Sequence, residues 1–166
     1  MNRRLFLAVL PAALVAGCGF QLRRYDAMPF ARLFVDAPAG SAVAQRIRTL
    51  LLAGKSVTLT TTGAEADAVV KLTEEVRDKT ILSLSGAGRV TEYRLTLRLG
   101  YTVIGRGAQV LAAPETIELT RDLTYDDAQL LAKGAEENLL YRDMDENAAL
   151  RVVRRLQNLN PAKSPA

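Results

Sequence analysis

Residues 93–103 read YRLTLRLGYTV, the most regular alternation in the chain. Every second residue from Tyr93 to Val103 is apolar, and arginine, threonine or glycine stands between them. Successive side chains of a strand point to opposite faces, so this pattern predicts a long strand with one face on a core. Arg94 and Arg98 are expected on the polar face. Such a strand needs neighbouring strands and a layer over its apolar face.

The stretches on either side of this strand read as its neighbours. Gly105–Gly107 predicts a turn into a second extended run, Val110–Leu123, in which Pro114 indicates an edge position or a bulge because proline cannot donate to a ladder. On the other side, Gly86–Gly88 predicts a turn. Before it, a half-buried strand from Asp67 is expected to continue irregularly to Leu84. Its predicted apolar side consists of Ala68, Val70, Leu72 and Val76.

The remaining segments predict two short strands and two helices. Ala31–Asp36 and Val57–Thr60 have strand composition, and between them Ser41 is a candidate N-cap for a helix that ends at Gly54. Asp126 and Asp127 open a last helical region, which Gly134 is expected to interrupt and which runs from Ala135 to about Leu159. The order predicts the α+β class, with a mostly antiparallel or mixed sheet of four to five strands and two helices packed on one face.

The first part of the chain has the order of parts of a secretory signal. Arg3 and Arg4 precede a mostly apolar run that ends at Val15, and Val15–Cys18 resembles the lipobox of bacterial lipoproteins. That resemblance implies cleavage before Cys18 and acylation of its thiol and new amine. The expected organisation is a signal peptide over residues 1–17, a lipidated tether over 18–30, one domain over 31–159 and a flexible tail over 160–166.

The composition excludes several kinds of chemistry. Histidine is absent and Cys18 is the only cysteine, so His–Cys metal sites, cysteine nucleophiles and Ser-His-Asp triads are unavailable. Adjacent carboxylates such as Asp126 and Asp127 are more simply explained by helix capping. Without Arg3 and Arg4 the basic residues number 20 against 18 acidic ones, which argues against nucleic-acid binding. No catalytic residue, metal or cofactor is expected beyond the acyl groups on Cys18.

Four basic residues remain as candidates for a binding role. Arg89 follows a predicted turn, Arg94 and Arg98 lie on the polar side of the long strand, and Lys133 lies in the last helical region. Guanidinium groups bind phosphates in a bidentate manner and would suit an anionic lipid head group. A solvated polar face explains the same spacing more simply.

With these residues laid out, the chain resembles the LptE family of lipopolysaccharide-assembly lipoproteins. The segment 18–23 is similar to that family's opening Cys-Gly-aromatic-x-Leu-Arg, and Thr91–Tyr93 is similar to its [TA]EY strand. The segment 131–133 matches its Leu-Ala-Lys. Further matches in the closing helix are Glu136, Glu137, Met144 and residues 154–156.

The resemblance implies a plug inside the LptD β-barrel that assists barrel assembly and delivers lipopolysaccharide to the outer leaflet. Lys133 corresponds to a basic position that fits lipopolysaccharide binding, and Gly86 replaces a basic residue of some members, with Arg89 nearby. Glycine rather than aspartate after Cys18 implies sorting to the outer membrane. Arg94 and Arg98 are the expected partner-facing residues.

Two further hypotheses remain open at this stage. One is a free periplasm-facing lipoprotein that carries a small amphiphile between its sheet and helices. The other is a carboxylate-dependent hydrolase of the cell wall, which would need two carboxylates about 5–9.5 Å apart across a cleft.

Overall fold

The computed structural model describes residues 28–160, which contain one mixed sheet and two long helices. The predicted signal peptide, most of the tether with Cys18, and the tail after Asn160 lie outside the described residues. The elements in chain order are β1 (Arg32–Asp36), α1 (Ala42–Ala53), β2 (Thr58–Leu59), β3 (Ala68–Leu84), β4 (Val90–Gly105), β5 (Val110–Thr124) and α2 (Leu130–Gln157). The α+β class and the two predicted helices are confirmed.

The sheet has the strand order β2-β1-β3-β4-β5. β1 pairs in parallel with both β2 and β3, whereas the long strands β3, β4 and β5 form an antiparallel meander. The chain returns to the middle of the sheet after β2, which leaves β2 and β5 as the edges. Pro114 lies on the edge strand β5 beside a register irregularity, as its missing amide predicted.

β4 is the central strand of the meander and supplies much of the core. Leu95, Leu97, Leu99, Tyr101 and Val103 are all buried on one face, as the alternation predicted. Both helices pack on this face. The buried stripe of α2 consists of Met144, Ala148, Ala149, Val152, Val153 and Leu156.

One side chain caps the start of α1 and another caps the 3₁₀ turn that precedes α2. The Ser41 hydroxyl accepts the amide of Ala44 at 2.9 Å at the start of α1, which confirms the predicted N-cap. The Asp126 carboxylate accepts the amide of Ala128 at 3.0 Å in the short 3₁₀ turn before α2. Gly134 does not interrupt α2, contrary to the sequence prediction: the helix continues through it, since flanking helix formers offset the conformational cost of one glycine.

The register of β3 changes at Thr73, which the sequence did not predict. Leu72 pairs with Tyr101 and Glu74 pairs with Gly100, so Thr73 is an extra residue in a β-bulge. Ala68, Val70 and Leu72 are buried as expected, but Val76 is 44% exposed and lies on the opposite face. The predicted apolar side is therefore wrong at Val76, because one inserted residue exchanges the two faces of the strand beyond it.

Candidate functional site

The face of the sheet opposite the helices is polar and open, and the two predicted partner-facing arginines lie on it. Arg94 is directly opposite Asp122 on β5 and donates to it through Nε at 2.9 Å and Nη2 at 3.2 Å. Arg98 is opposite Glu118, with Nη2 3.4 Å from Oε2, and also lies 4.0 Å from Glu74. Each of these cations is thus paired across the strands rather than free.

The pairing leaves neither arginine of this face as a free charge. The hydrogen bond from Arg94 holds the pKa of the Asp122 carboxyl below its ordinary value. Between the two ion pairs, Thr96 lies opposite Thr120 and contributes hydroxyl groups. The face can therefore donate and accept many hydrogen bonds while both of its guanidinium groups are already paired.

One end of the sheet, which we call the distal end, combines exposed apolar and basic side chains. It is formed by the turn 85–89 between β3 and β4, by the end of β5 and by the first turn of α2. The amide of Tyr125 donates to the Thr91 carbonyl at 2.8 Å, so the start of α2 follows directly on this end of the sheet. Leu84, Leu130 and Leu131 are 57%, 62% and 91% exposed here.

The two predicted lipopolysaccharide-binding residues differ in their surroundings at the distal end. Arg89 is exposed and forms no ion pair with any residue of 28–160; its amide donates to the Ser85 hydroxyl at 3.2 Å. Lys133 is only 16% exposed and binds Glu136 at 2.8 Å. Arg89 therefore offers an uncompensated cation, whereas the charge of Lys133 is largely satisfied within the helix.

A cluster on the helix side of the distal end was missed by the sequence reasoning. Lys79 Nζ lies 2.6 Å from Glu137 and 4.3 Å from the ring centroid of Tyr93. Tyr125 packs edge-to-face on Tyr93 with 5.0 Å between centroids. Lys79 reaches this side only because the bulge at Thr73 changes the faces of β3. Nothing in the local sequence of β3 indicates that register change.

The same bulge produces a polar network between β3 and α2. Arg77 donates to Asp145 at 2.7 Å and to Glu75 at 2.9 Å, and the Ser41 hydroxyl donates to Glu75. Asp145 is only 5% exposed. The Tyr141 hydroxyl also donates to the Asp78 carbonyl at 2.9 Å. These contacts attach the middle of α2 to the sheet where apolar packing ends.

A cleft of about 400 Å³ opens between the C-terminal ends of the two helices. Its walls are mostly apolar and include Leu50, Leu51, Leu150 and Val153, with Met28 at one side. Within residues 28–160 no three carboxylates converge on a possible metal site. No helix in that range is both long and apolar enough to cross a membrane.

Comparisons with known proteins agree on one family. The model of a family described as LptE, lipopolysaccharide-assembly, matches residues 30–156. A Photorhabdus laumondii protein named LPS-assembly lipoprotein LptE is 28% identical to the chain, with 98% of the chain and 91% of that protein covered.

Two solved lipoprotein structures share the fold. The solution structure of an uncharacterized lipoprotein B from Nitrosomonas europaea is 34% identical, covers 84% of this chain and 90% of its own, and has a TM-score of 0.73. The crystal structure of the rare lipoprotein B from Shewanella oneidensis is 26% identical, covers 75% and 92%, and has a TM-score of 0.65.

Proposed function

The chain belongs to the LptE family, and on that premise we propose that it is an outer-membrane lipoprotein anchored through acylated Cys18. We propose further that it acts as a plug and assembly partner of the LptD β-barrel and helps to deliver lipopolysaccharide to the outer leaflet. The observation that carries the proposal is the family match over residues 30–156, which spans nearly the whole described domain.

The open face of the sheet supports the contact with a barrel. The lumen of an outer-membrane barrel is polar, so a plug must present a polar surface to it. The face around Arg94 and Arg98 presents guanidinium, carboxylate and hydroxyl groups whose charges are already paired. Such a surface can replace its hydrogen bonds to water by hydrogen bonds to side chains of the lumen, and neither arginine is then buried as an unpaired charge.

The distal end supports the contact with lipopolysaccharide. That ligand combines phosphate groups with acyl chains, and the distal end combines the cation of Arg89 with the exposed Leu84, Leu130 and Leu131. Phosphate is bound well by a guanidinium that has no carboxylate partner. Arg89 is therefore the stronger contact in this proposal, and Lys133 the weaker one.

The proposed role is not catalytic. The chain has no histidine, and its only thiol is the one assigned to lipidation. Glu75 and Asp145, whose side chains are only 9% and 8% exposed, share the guanidinium of Arg77 rather than facing each other across a cleft. That arrangement does not support the hydrolase hypothesis.

Affinity purification from membranes tests the partner. Thr120→Tyr adds bulk in the middle of the open face, on a strand where tyrosine is well accepted, and should lower recovery of the barrel at least about tenfold. Leu52→Tyr is the matched control on the exposed side of α1 and should leave recovery unchanged. Equal recovery with both variants would count against the open face as the contact.

Binding to purified lipopolysaccharide tests the distal end. Arg89→Glu removes a cation that has no ion-pair partner within residues 28–160 and should weaken binding about tenfold. Arg151→Glu makes the same charge change on an exposed position in the far half of α2 and should have little effect. If both variants weaken binding equally, overall charge rather than the distal end determines it.

The cleft between the helices favours the amphiphile carrier as a second candidate. Its volume of about 400 Å³ suits a single small amphiphile. Native mass spectrometry of the mature chain would decide, since a carrier retains a bound lipid and co-purifies with no barrel. Leu150→Trp, which fills the cleft, should then abolish lipid retention.

A further inference from the structure

One side of β3 lacks a strand neighbour over most of its length. β1 is short and pairs with β3 only from Ala68 to Lys71, whereas β4 pairs with the other side as far as Leu84. Within the part of the chain that the structure describes, no strand pairs with this side from Leu72 to Leu84. The sheet therefore has a third open edge in its interior, beside the long central strands.

The strand pairing shows which backbone amides of β3 face away from β4. Because the Tyr125 amide donates to the Thr91 carbonyl, odd-numbered residues of β4 bond to β5 and even-numbered ones bond to β3. Arg94 and Thr96 lie opposite Thr80 and Asp78, so Thr80 and Asp78 bond to β4. The amides of Arg77, Lys79 and Ile81 then face away from β4, toward the unoccupied side.

The side chains along this edge do not protect it from another strand. Exposed edges are usually blunted by proline or by free charges. Here Arg77 and Lys79 are neutralised by Asp145 and Glu137, so that within residues 77–84 only Asp78 keeps a charge with no ion pair to the described residues 28–160. Residues 80–84 read TILSL, without charge or proline. Ile81 is 58% exposed. An edge of this kind, with one exposed carboxylate and an uncharged β-prone run, fits an extended segment of low charge.

We propose that the free edge Leu72–Leu84 of β3, with residues 77–84 as its least charged part, is a docking edge at which the barrel partner adds one strand before the barrel closes. The inference rests on the proposed function, which supplies a partner built of strands. The free edge, Leu72–Leu84, accommodates the about 9–11 residues of a membrane-spanning strand. A closed barrel has no free strand edge, but its first and last strands lack a neighbour until the barrel closes. The proposed pairing with β3 therefore occurs during barrel assembly.

Proline substitution separates this pairing from the fold. Ile81→Pro removes an outward amide and places the ring where the added strand would lie, so recovery of the assembled barrel should fall at least about tenfold. Ile81→Val keeps the amide and should stay within about twofold of the unchanged chain. Thr80→Pro removes an amide that bonds to β4 and should lower the unfolding temperature well below that of Ile81→Pro.

A photo-reactive side chain at position 81 identifies the occupant. We expect crosslinks to the newly made barrel chain from position 81 and none from position 139, an equally exposed site on α2. Equal assembly with Ile81→Pro and Ile81→Val, or crosslinks only between two copies of this chain, would overturn the docking edge alone. Failure of the unaltered chain to recover any barrel would overturn the proposed function and this inference with it.

Discussion

At the scale of single residues, Gly100 is required by the bulge opposite it. A Cβ at this position would lie 2.8 Å from Thr73 Oγ1 and 3.1 Å from Glu74 Cβ. Gly100→Ala should therefore lower the free energy of unfolding by about 1–3 kcal/mol through overpacking, as measured by urea denaturation. Gly86→Ala is the control, because a Cβ at Gly86 meets no atom of the described residues within 4 Å. Equal stability of both variants would mean that β3 and β4 separate easily at the bulge.

The ion pair between Arg94 and Asp122 gives a second prediction at this scale. Arg94 lowers the pKa of Asp122 from 3.8, so the pair stabilises the fold above the unfolded pKa and this contribution is lost as pH falls through the folded pKa. Arg94→Gln should raise the pKa of Asp122 toward its ordinary value, which an NMR titration of the carboxyl carbon would detect. An unchanged titration would mean that the pair does not form in solution.

At the scale of elements, Gly134 of α2 occupies a helical position that has space for a side chain. No atom of residues 28–160 lies within 4 Å of a Cβ built at Gly134, and the helix passes through this residue. Gly134→Ala should raise the free energy of unfolding by about 0.5–1 kcal/mol. Gly88→Ala should have the opposite sign, because Gly88 has φ +74° in the turn between β3 and β4. Thermal unfolding should show a higher unfolding temperature for Gly134→Ala and a lower one for Gly88→Ala.

At the scale of the whole molecule, two acidic neighbours on α2 attach the helix in different ways. Asp145 is buried and binds Arg77 of the sheet, whereas Glu146 forms an exposed pair with Arg46 of α1 at 3.3 Å. Asp145→Ala should lower the free energy of unfolding by about 1–3 kcal/mol, because Arg77 keeps its ion pair with Glu75 but loses the nearer one. Glu146→Ala should cost less than about 1 kcal/mol.

Chemical denaturation of the two variants measures this difference. A similar small cost for both would show that α2 is held by its apolar stripe alone. A larger loss for Glu146→Ala would mean that the contact between the helices, rather than the network on β3, holds the layers together.

The sequence by itself determined the features that depend on local pattern. The alternation of residues 93–103 indicated the buried face of β4, Ser41 and Gly54 bounded α1, and Pro114 indicated an edge. The absence of histidine, which is a matter of composition alone, excluded metal sites and catalytic triads that need that side chain. The three structural features follow from preferences that act within one turn or one strand.

Only the tertiary structure decided which side chains share a face beyond Thr73. The bulge depends on how β3 pairs with β4, including the space that Gly100 leaves, and no preference within β3 encodes it. That single register change brought Arg77 and Lys79 to the helices. The open edge of β3 likewise depends on where β1 ends its pairing, because the neighbours of a strand are set by the whole sheet rather than by its own residues.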